Sequence, residues 1–174
     1  MSQLVITIVG DDRTGIVESL SSLVIEHGGN WLSSSMSNLA GQFAGIIEIS
    51  VEADRRDALA EAIGALPGLQ VHSVVAGDVE ESGKYPLAEL EAVGIDQPGI
   101  VHRLTTVLKN AGVSVLEFAS WTEPAPNSGD ELFRMAADFE LTPSVDLETL
   151  KAELEAVAED LAVDIELGLE EEDD

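Results

Sequence analysis

Residues 9–17 read Val-Gly-Asp-Asp-Arg-Thr-Gly-Ile-Val, and residues 93–101 read Val-Gly-Ile-Asp-Gln-Pro-Gly-Ile-Val. Six of the nine positions are identical at a fixed offset of 84 residues, which aligns Gly15 with Gly99. The same offset aligns Gly28 with Gly112 further along the chain. Self-similarity at a constant spacing is typical of a duplicated structural unit, so the chain is predicted to contain two copies of one fold.

In each copy the motif joins a predicted strand, at residues 4–9 or 87–93, to a predicted helix. Apolar residues follow at i, i+1, i+4, i+7 and i+8, a spacing that predicts one apolar helix face. They are Ile16, Val17, Leu20, Leu23 and Val24 in the first copy, and Ile100, Val101, Leu104, Val107 and Leu108 in the second. Gly28 and Gly112 stand where a C-terminal helix cap is expected.

A hairpin, a helix and a final strand are predicted to follow in each copy. The hairpin strands are predicted at 30–37 and 43–51, and at 114–122 and 132–141 across a longer loop, 123–131. The second helices are predicted at 55–66 and 146–161, and the last strands at 70–76 and 162–167. Each copy therefore follows the order β-α-β-β-α-β, and the predicted fold class is α+β with two tandem ferredoxin-like domains.

Domain boundaries follow from this reading. Residues 1–77 are predicted to form the first domain and residues 85–168 the second. The polar, glycine-containing segment 78–84 is interpreted as a linker. Residues 169–174 include a run of like charges and are interpreted as an acidic tail.

The composition excludes several function classes. There is no cysteine, and 34 acidic residues against 8 basic ones give a formal net charge of −26. Such a charge repels nucleic acid backbones and anionic membranes, so no direct DNA binding and no membrane association are expected. The N-terminal residues lack a signal-peptide pattern, which favours a cytoplasmic protein. The three histidines do not show metal-ligand spacing, and no metal or other cofactor is expected.

The repeated loop is the best candidate for chemistry. Asp12 and Asp96 are interpreted as helix N-caps, and Pro98 is placed in the first helical turn. Gly15 and Gly99 would leave backbone amides uncovered at a helix N-terminus, which suits a carboxylate, and the aspartates could meet an ammonium group. Two interpretations without a ligand stay open. The glycines could allow close packing of the helix on the sheet, and the aspartates could serve only as helix caps.

At these residues the sequence resembles the ACT domain family of small-molecule regulatory modules. The matching segments are 10–17 and 26–30 in the first copy, and 96–101 and 111–114 in the second. Two such domains in tandem resemble the glycine cleavage system transcriptional repressor type. The resemblance implies a non-enzymatic regulator of glycine and one-carbon genes that acts through a regulatory protein partner. It also implies binding of a small amino acid, glycine or serine first, at seams between domains, and allows a homodimer.

The candidate ligand-binding residues are Asp12, Arg13, Thr14, Gly15, Ile16, Asp96, Gln97, Pro98, Gly99 and Ile100. Trp31 and Trp121 are predicted to pack in the core or at a seam. Two other functions remain open. One is a regulatory subunit of a separate amino-acid metabolic enzyme, because formyltetrahydrofolate deformylases carry a similar loop. The other is a dimerisation module without a ligand.

Overall fold

The computed structural model describes residues 2–75, 85–126 and 128–169. These residues divide into two compact units, one ending at residue 75 and the other starting at residue 85. The predicted linker 78–84 lies outside the described residues. So does the predicted tail 169–174, except for Leu169, which ends the last strand.

Both units have the same order of elements. The first contains β1 (Ser2–Asp11), α1 (Ile16–Glu26), β2 (Asn30–Leu39), β3 (Gln42–Val51), α2 (Arg56–Gly64) and β4 (Leu69–Val75). The second contains β5 (Leu87–Ile95), α3 (Ile100–Asn110), β6 (Val115–Pro124), β7 (Glu131–Glu140), α4 (Leu147–Leu161) and β8 (Val163–Leu169). The sheet orders are β2-β3-β1-β4 and β6-β7-β5-β8, with every neighbouring pair antiparallel. The predicted α+β fold of two ferredoxin-like domains is confirmed.

Each unit has its own core between the helices and one face of the sheet. In β1, Leu4, Ile6 and Ile8 are at most 2% exposed and alternate with more exposed residues, as a half-buried strand requires. The apolar helix face is narrower than predicted. Val17 and Val101 are 47% and 37% exposed, because position i+1 lies at the margin of the stripe that the sheet covers.

The two hairpins differ in their turns. The first closes through Ala40 and Gly41, whose φ values of 51° and 81° are typical of a type I′ turn. In the second, the predicted loop 123–131 was too long at both ends. Glu123 is paired with Leu132 across β6 and β7, because the backbone ladder continues through polar residues on the exposed edge.

The predicted C-terminal caps are confirmed. Gly28 and Gly112 directly follow the C-cap residues of α1 and α3, with φ values of 70° and 78°. The Gly28 N–H donates to the Ile25 carbonyl and the next amide donates to the Val24 carbonyl. The second copy repeats both bonds, and this pair is the Schellman arrangement that satisfies the last carbonyls of a helix.

The two tryptophans have different surroundings. Trp31 is partly buried and packs against the first core. Trp121 is 48% exposed on edge strand β6, so it lies outside the core, and its packing at a seam stays a prediction. Residue 121 faces away from the helices, because it pairs with Arg134 on the open side of the second sheet rather than with the buried Met135.

Candidate functional site

The two strand–helix loops, 12–15 and 96–99, are anchored in the same way. The Asp12 N–H donates to the Gly41 carbonyl at 2.9 Å, and the Asp96 N–H donates to the Glu131 carbonyl at 2.9 Å. Each acceptor lies where the hairpin of that unit turns back into its sheet. The start of each loop is therefore held against the neighbouring hairpin.

The predicted role of Asp12 and Asp96 as N-caps is wrong. The N-cap residues are Gly15 and Gly99, three positions later, and no side chain of the described residues caps either helix. A capping side chain must sit next to the first helical residue to reach the amides one turn on. The Asp12 carboxylate instead accepts a hydrogen bond from Asn38 Nδ2 at 2.5 Å.

Gly15 and Gly99 have left-handed backbone conformations, with φ values of 90° and 98°. A Cβ built at either position would have no other atom within 4 Å. Close packing therefore does not explain these glycines. The positive φ does, because residues with a Cβ rarely adopt it.

Each loop also carries a side chain that donates a hydrogen bond to a backbone carbonyl just before the last strand of its own unit. Arg13 Nη2 donates to the Pro67 carbonyl at 2.8 Å, and Gln97 Nε2 donates to the Leu161 carbonyl at 2.7 Å. Both side chains were predicted ligand contacts, and both are engaged in structural bonds.

The remaining predicted residues divide into exposed and buried ones. Thr14 and Pro98 are exposed and directly precede the N-cap glycines. Pro98 is thus outside the helix rather than in its first turn, because α3 begins two residues later. The side chains of Ile16 and Ile100 are 3% and 2% exposed and belong to the cores, so these residues can offer a ligand only their backbone.

An open depression of about 480 Å³ lies over the second loop. Its lining includes four predicted residues, Asp96, Gln97, Gly99 and Ile100, and four that sequence reasoning missed, Val101, His102, Thr105 and Phe133. Val101 was assigned to the apolar helix face, and only its 37% exposure in the structure makes it available to a ligand. Phe133 comes from β7, and nothing local in the sequence points to it.

The first turns of the two helices differ in charge. The offset that aligns Gly15 with Gly99 aligns Glu18 with His102. Glu18 is an acidic residue in the first turn of α1, whereas the first turn of α3 has none. A negative side chain at a helix N-terminus opposes an anion there, so the first turn of α3 is electrostatically more favourable to an anion than the first turn of α1.

Within residues 2–75, 85–126 and 128–169, no group of three or more His, Asp or Glu side chains could hold a metal ion. None of the helices in these ranges is long and apolar enough to cross a membrane.

Comparison with known proteins gives a domain family and structural neighbours that match along the full chain. Residues 2–70 match the ACT domain model. A crystal structure of an unknown protein from Galdieria sulphuraria is 32% identical, with 98% of this chain and 99% of that chain covered and a TM-score of 0.83. A candidate glycine cleavage system transcriptional repressor is 20% identical over 98% of each chain, with a TM-score of 0.68, a likeness that concerns the fold. No curated protein matches.

The duplicated β-α-β-β-α-β units, the paired left-handed glycines at the helix N-termini and the match of residues 2–70 converge on one conclusion. The chain belongs to the ACT domain family.

Proposed function

We propose that the chain is an amino-acid-binding regulatory protein that takes a small amino acid, glycine or serine, at its strand–helix loops. One observation carries this proposal. Both helices begin at a left-handed glycine with open space over it, and no described side chain caps the amides of the first turn. Those amides are left without intrahelical partners by helix geometry and favour a carboxylate.

The chemistry of the second loop suits a zwitterion. The first-turn amides of α3 would bind the carboxylate, and the exposed Asp96 side chain would bind the ammonium group. Val101 and Phe133 supply apolar lining beside these polar groups. Because Glu18 opposes an anion at the first loop, the second loop would bind more tightly.

A regulatory role through a protein partner is the second part of the proposal. The net charge of −26 opposes direct contact with DNA, so control of glycine and one-carbon genes would pass through another protein. The full-length likeness in fold to a candidate glycine cleavage system repressor supports this reading over a regulatory subunit of a separate enzyme or a ligand-free dimerisation module.

Calorimetric titration with the common amino acids tests the binding part. Glycine or serine should bind, and at about 100 times its dissociation constant it should add roughly 2.7 kcal/mol to the folded state. The melting temperature should rise by about 5–10 °C. No binding by any amino acid at millimolar concentration would refute the sensor.

A pair of matched variants tests the location. Gly99→Leu places a side chain over the amides of α3, while Gly112→Leu places one at the other end of the same helix. Both glycines have a positive φ and open space at Cβ, so both variants carry a similar backbone strain. Binding should be lost in Gly99→Leu and kept in Gly112→Leu, with circular dichroism confirming that both are folded. Equal binding by the two variants would place the ligand elsewhere.

A further inference from the structure

The second sheet has a strongly acidic face on the side that the helices of its own unit do not cover. Backbone register puts its residues in rows across the strands: Glu91 pairs with Ala136 and Glu166, and Val93 pairs with Arg134 and Asp164. We call this surface the acidic sheet face and define it by Glu91, Glu117, Asp138, Asp164 and Glu166. No ion pair within the described residues neutralises these five carboxylates.

A hollow of about 190 Å³ lies in this face beside Trp121. Its polar lining includes Glu91, Asp164 and Glu166. Arg134, a cation in the lining, donates from Nε to Glu123 Oε1 at 2.5 Å. Trp121 Nε1 donates to the other oxygen of Glu123 at 3.4 Å, so the Glu123 carboxylate orients the indole ring next to the carboxylates that line the hollow.

The fold does not require this charge. In the first sheet, four of the five equivalent positions, those of Glu91, Glu117, Asp164 and Glu166, are not acidic. They are Thr7, Ser33, Gln70 and His72. The fifth, equivalent to Asp138, is Glu48, so the two sheets share one acid. Moreover, Glu91 and Glu166 are direct cross-strand partners, and like charges in that relation destabilise a sheet. The Glu91–Glu166 pair is therefore a local cost to stability that the other copy of the same fold avoids, because its counterpart is Thr7 beside His72.

We propose that the acidic sheet face docks a lysine- and arginine-rich segment of a partner protein, with one cationic side chain in the hollow against Trp121. Charge complementarity selects this occupant, and an indole face beside carboxylates adds a cation–π contact. A second copy of this chain would bring its own acidic surface, and nucleic acids or anionic membranes would be repelled. The inference rests on the proposed action through a protein partner.

The test uses the full chain and a short synthetic peptide in which arginine and serine alternate. Calorimetry at about 0.05 M and about 0.15 M salt compares the unmodified protein with two triple variants. One is Glu91→Gln, Asp164→Asn and Glu166→Gln on the acidic sheet face. The control is Glu61→Gln, Glu153→Gln and Glu159→Gln on exposed helix positions. It removes the same number of negative charges as the face variant.

The face variant should bind the peptide about tenfold more weakly, while the control stays within about twofold of the unmodified protein. A Trp31→Phe background leaves Trp121 as the single tryptophan, and its emission should change on binding. Equal loss in both triple variants would show attraction to net charge alone and overturn the proposal. Unchanged binding by the face variant, or a silent Trp121, would overturn it too.

This outcome is separable from that of the amino-acid titration. The peptide experiment contains no amino acid, and the three substituted carboxylates lie on strands rather than in the strand–helix loops. If the chain binds glycine but not the peptide, only the docking proposal is refuted. If the chain binds the peptide on this face but binds no amino acid, only the proposed amino-acid sensing is refuted.

Discussion

Arg13 Nη2 donates a hydrogen bond to the carbonyl oxygen of Pro67 at 2.8 Å, across 54 residues of sequence. Gln97 stands at the matching position of the second copy and donates to the Leu161 carbonyl at 2.7 Å. Both acceptors lie two residues before the last strand of their unit, which starts at Leu69 or Val163. Two different side chains thus make the same tie between the strand–helix loop and the end of the domain.

Removing this tie should cost stability without removing the ligand site. We expect Gln97→Ala to lower the free energy of unfolding by about 1 kcal/mol, the net value of one hydrogen bond. Gln97→Arg should keep most of the stability, because the first unit makes the same bond with arginine. Urea unfolding of both variants measures this. An arginine variant as unstable as the alanine variant would show that the bond is not interchangeable.

The left-handed glycines should be sensitive to substitution for conformational reasons alone. We expect Gly15→Ala to cost about 1–2 kcal/mol, because its φ is 90° and open space leaves no steric clash to add. Gly64→Ala is the matched control, since it also has open space at Cβ but lies in α2 without a positive φ. That change should stabilise by up to about 1 kcal/mol. Thermal unfolding of the two variants should therefore shift in opposite directions.

The glycines of the Val-Gly pair should be sensitive for steric reasons. A Cβ on Gly10 would lie 2.2 Å from the backbone carbonyl oxygen of Gly68, whereas one on Gly94 would lie 2.8 Å from a methyl group of Val163. A backbone atom cannot rotate away, so Gly10→Ala should cost more than Gly94→Ala. We expect roughly 1–3 kcal/mol for the second and a larger loss for the first, measured by urea unfolding. The reverse order would contradict the steric explanation.

The N-cap of α4 should contribute to the acid sensitivity of the fold. Hydrogen bonds from the Thr149 hydroxyl and amide, and then from the Glu148 amide, hold the pKa of Asp146 below its ordinary value. A carboxyl whose folded pKa is lowered stabilises the protein above its unfolded pKa, and that contribution is lost as the pH falls towards the folded value.

Asp146→Asn keeps an oxygen acceptor for the cap but does not titrate. The unfolding free energy of this variant should therefore fall less steeply with acid than that of the unmodified protein, in urea titrations between about pH 6 and pH 3. Glu123 has a pKa lowered by its hydrogen bond with Arg134 and should act in the same direction. Identical acid slopes for the variant and the unmodified protein would contradict the assignment to Asp146.

Direct DNA binding should be absent at physiological salt. The net charge of −26 makes the approach of a phosphate backbone unfavourable. A gel-shift assay with the purified protein alone should show no retarded band for the control region of a glycine cleavage operon. A salt-sensitive, submicromolar complex would disprove this.

Much of the fold could be predicted because its signals are local. The helix spacing and the turn glycines each depend on a few consecutive residues, and the 84-residue offset shows that the same local signals occur twice, so the element order followed from them. The sequence predictions failed where a side chain has more than one possible hydrogen-bond partner. Asp12 could serve as a cap or bond elsewhere, and only the position of Asn38, 26 residues away, decides which.

The sequence by itself determined the duplication, the α+β class and the glycine cap at the C-terminal end of the first helix in each unit, because backbone conformation and hydrophobic periodicity depend on residue type and spacing. Tertiary structure alone decided that Arg13 and Gln97 donate hydrogen bonds to carbonyls that are 54 and 64 residues away in the sequence. It also decided that Phe133 lines the second loop and that Glu91, Asp164 and Glu166 share one face. These relationships depend on strand order and register, which bring together residues from separate strands, and no local pattern encodes them.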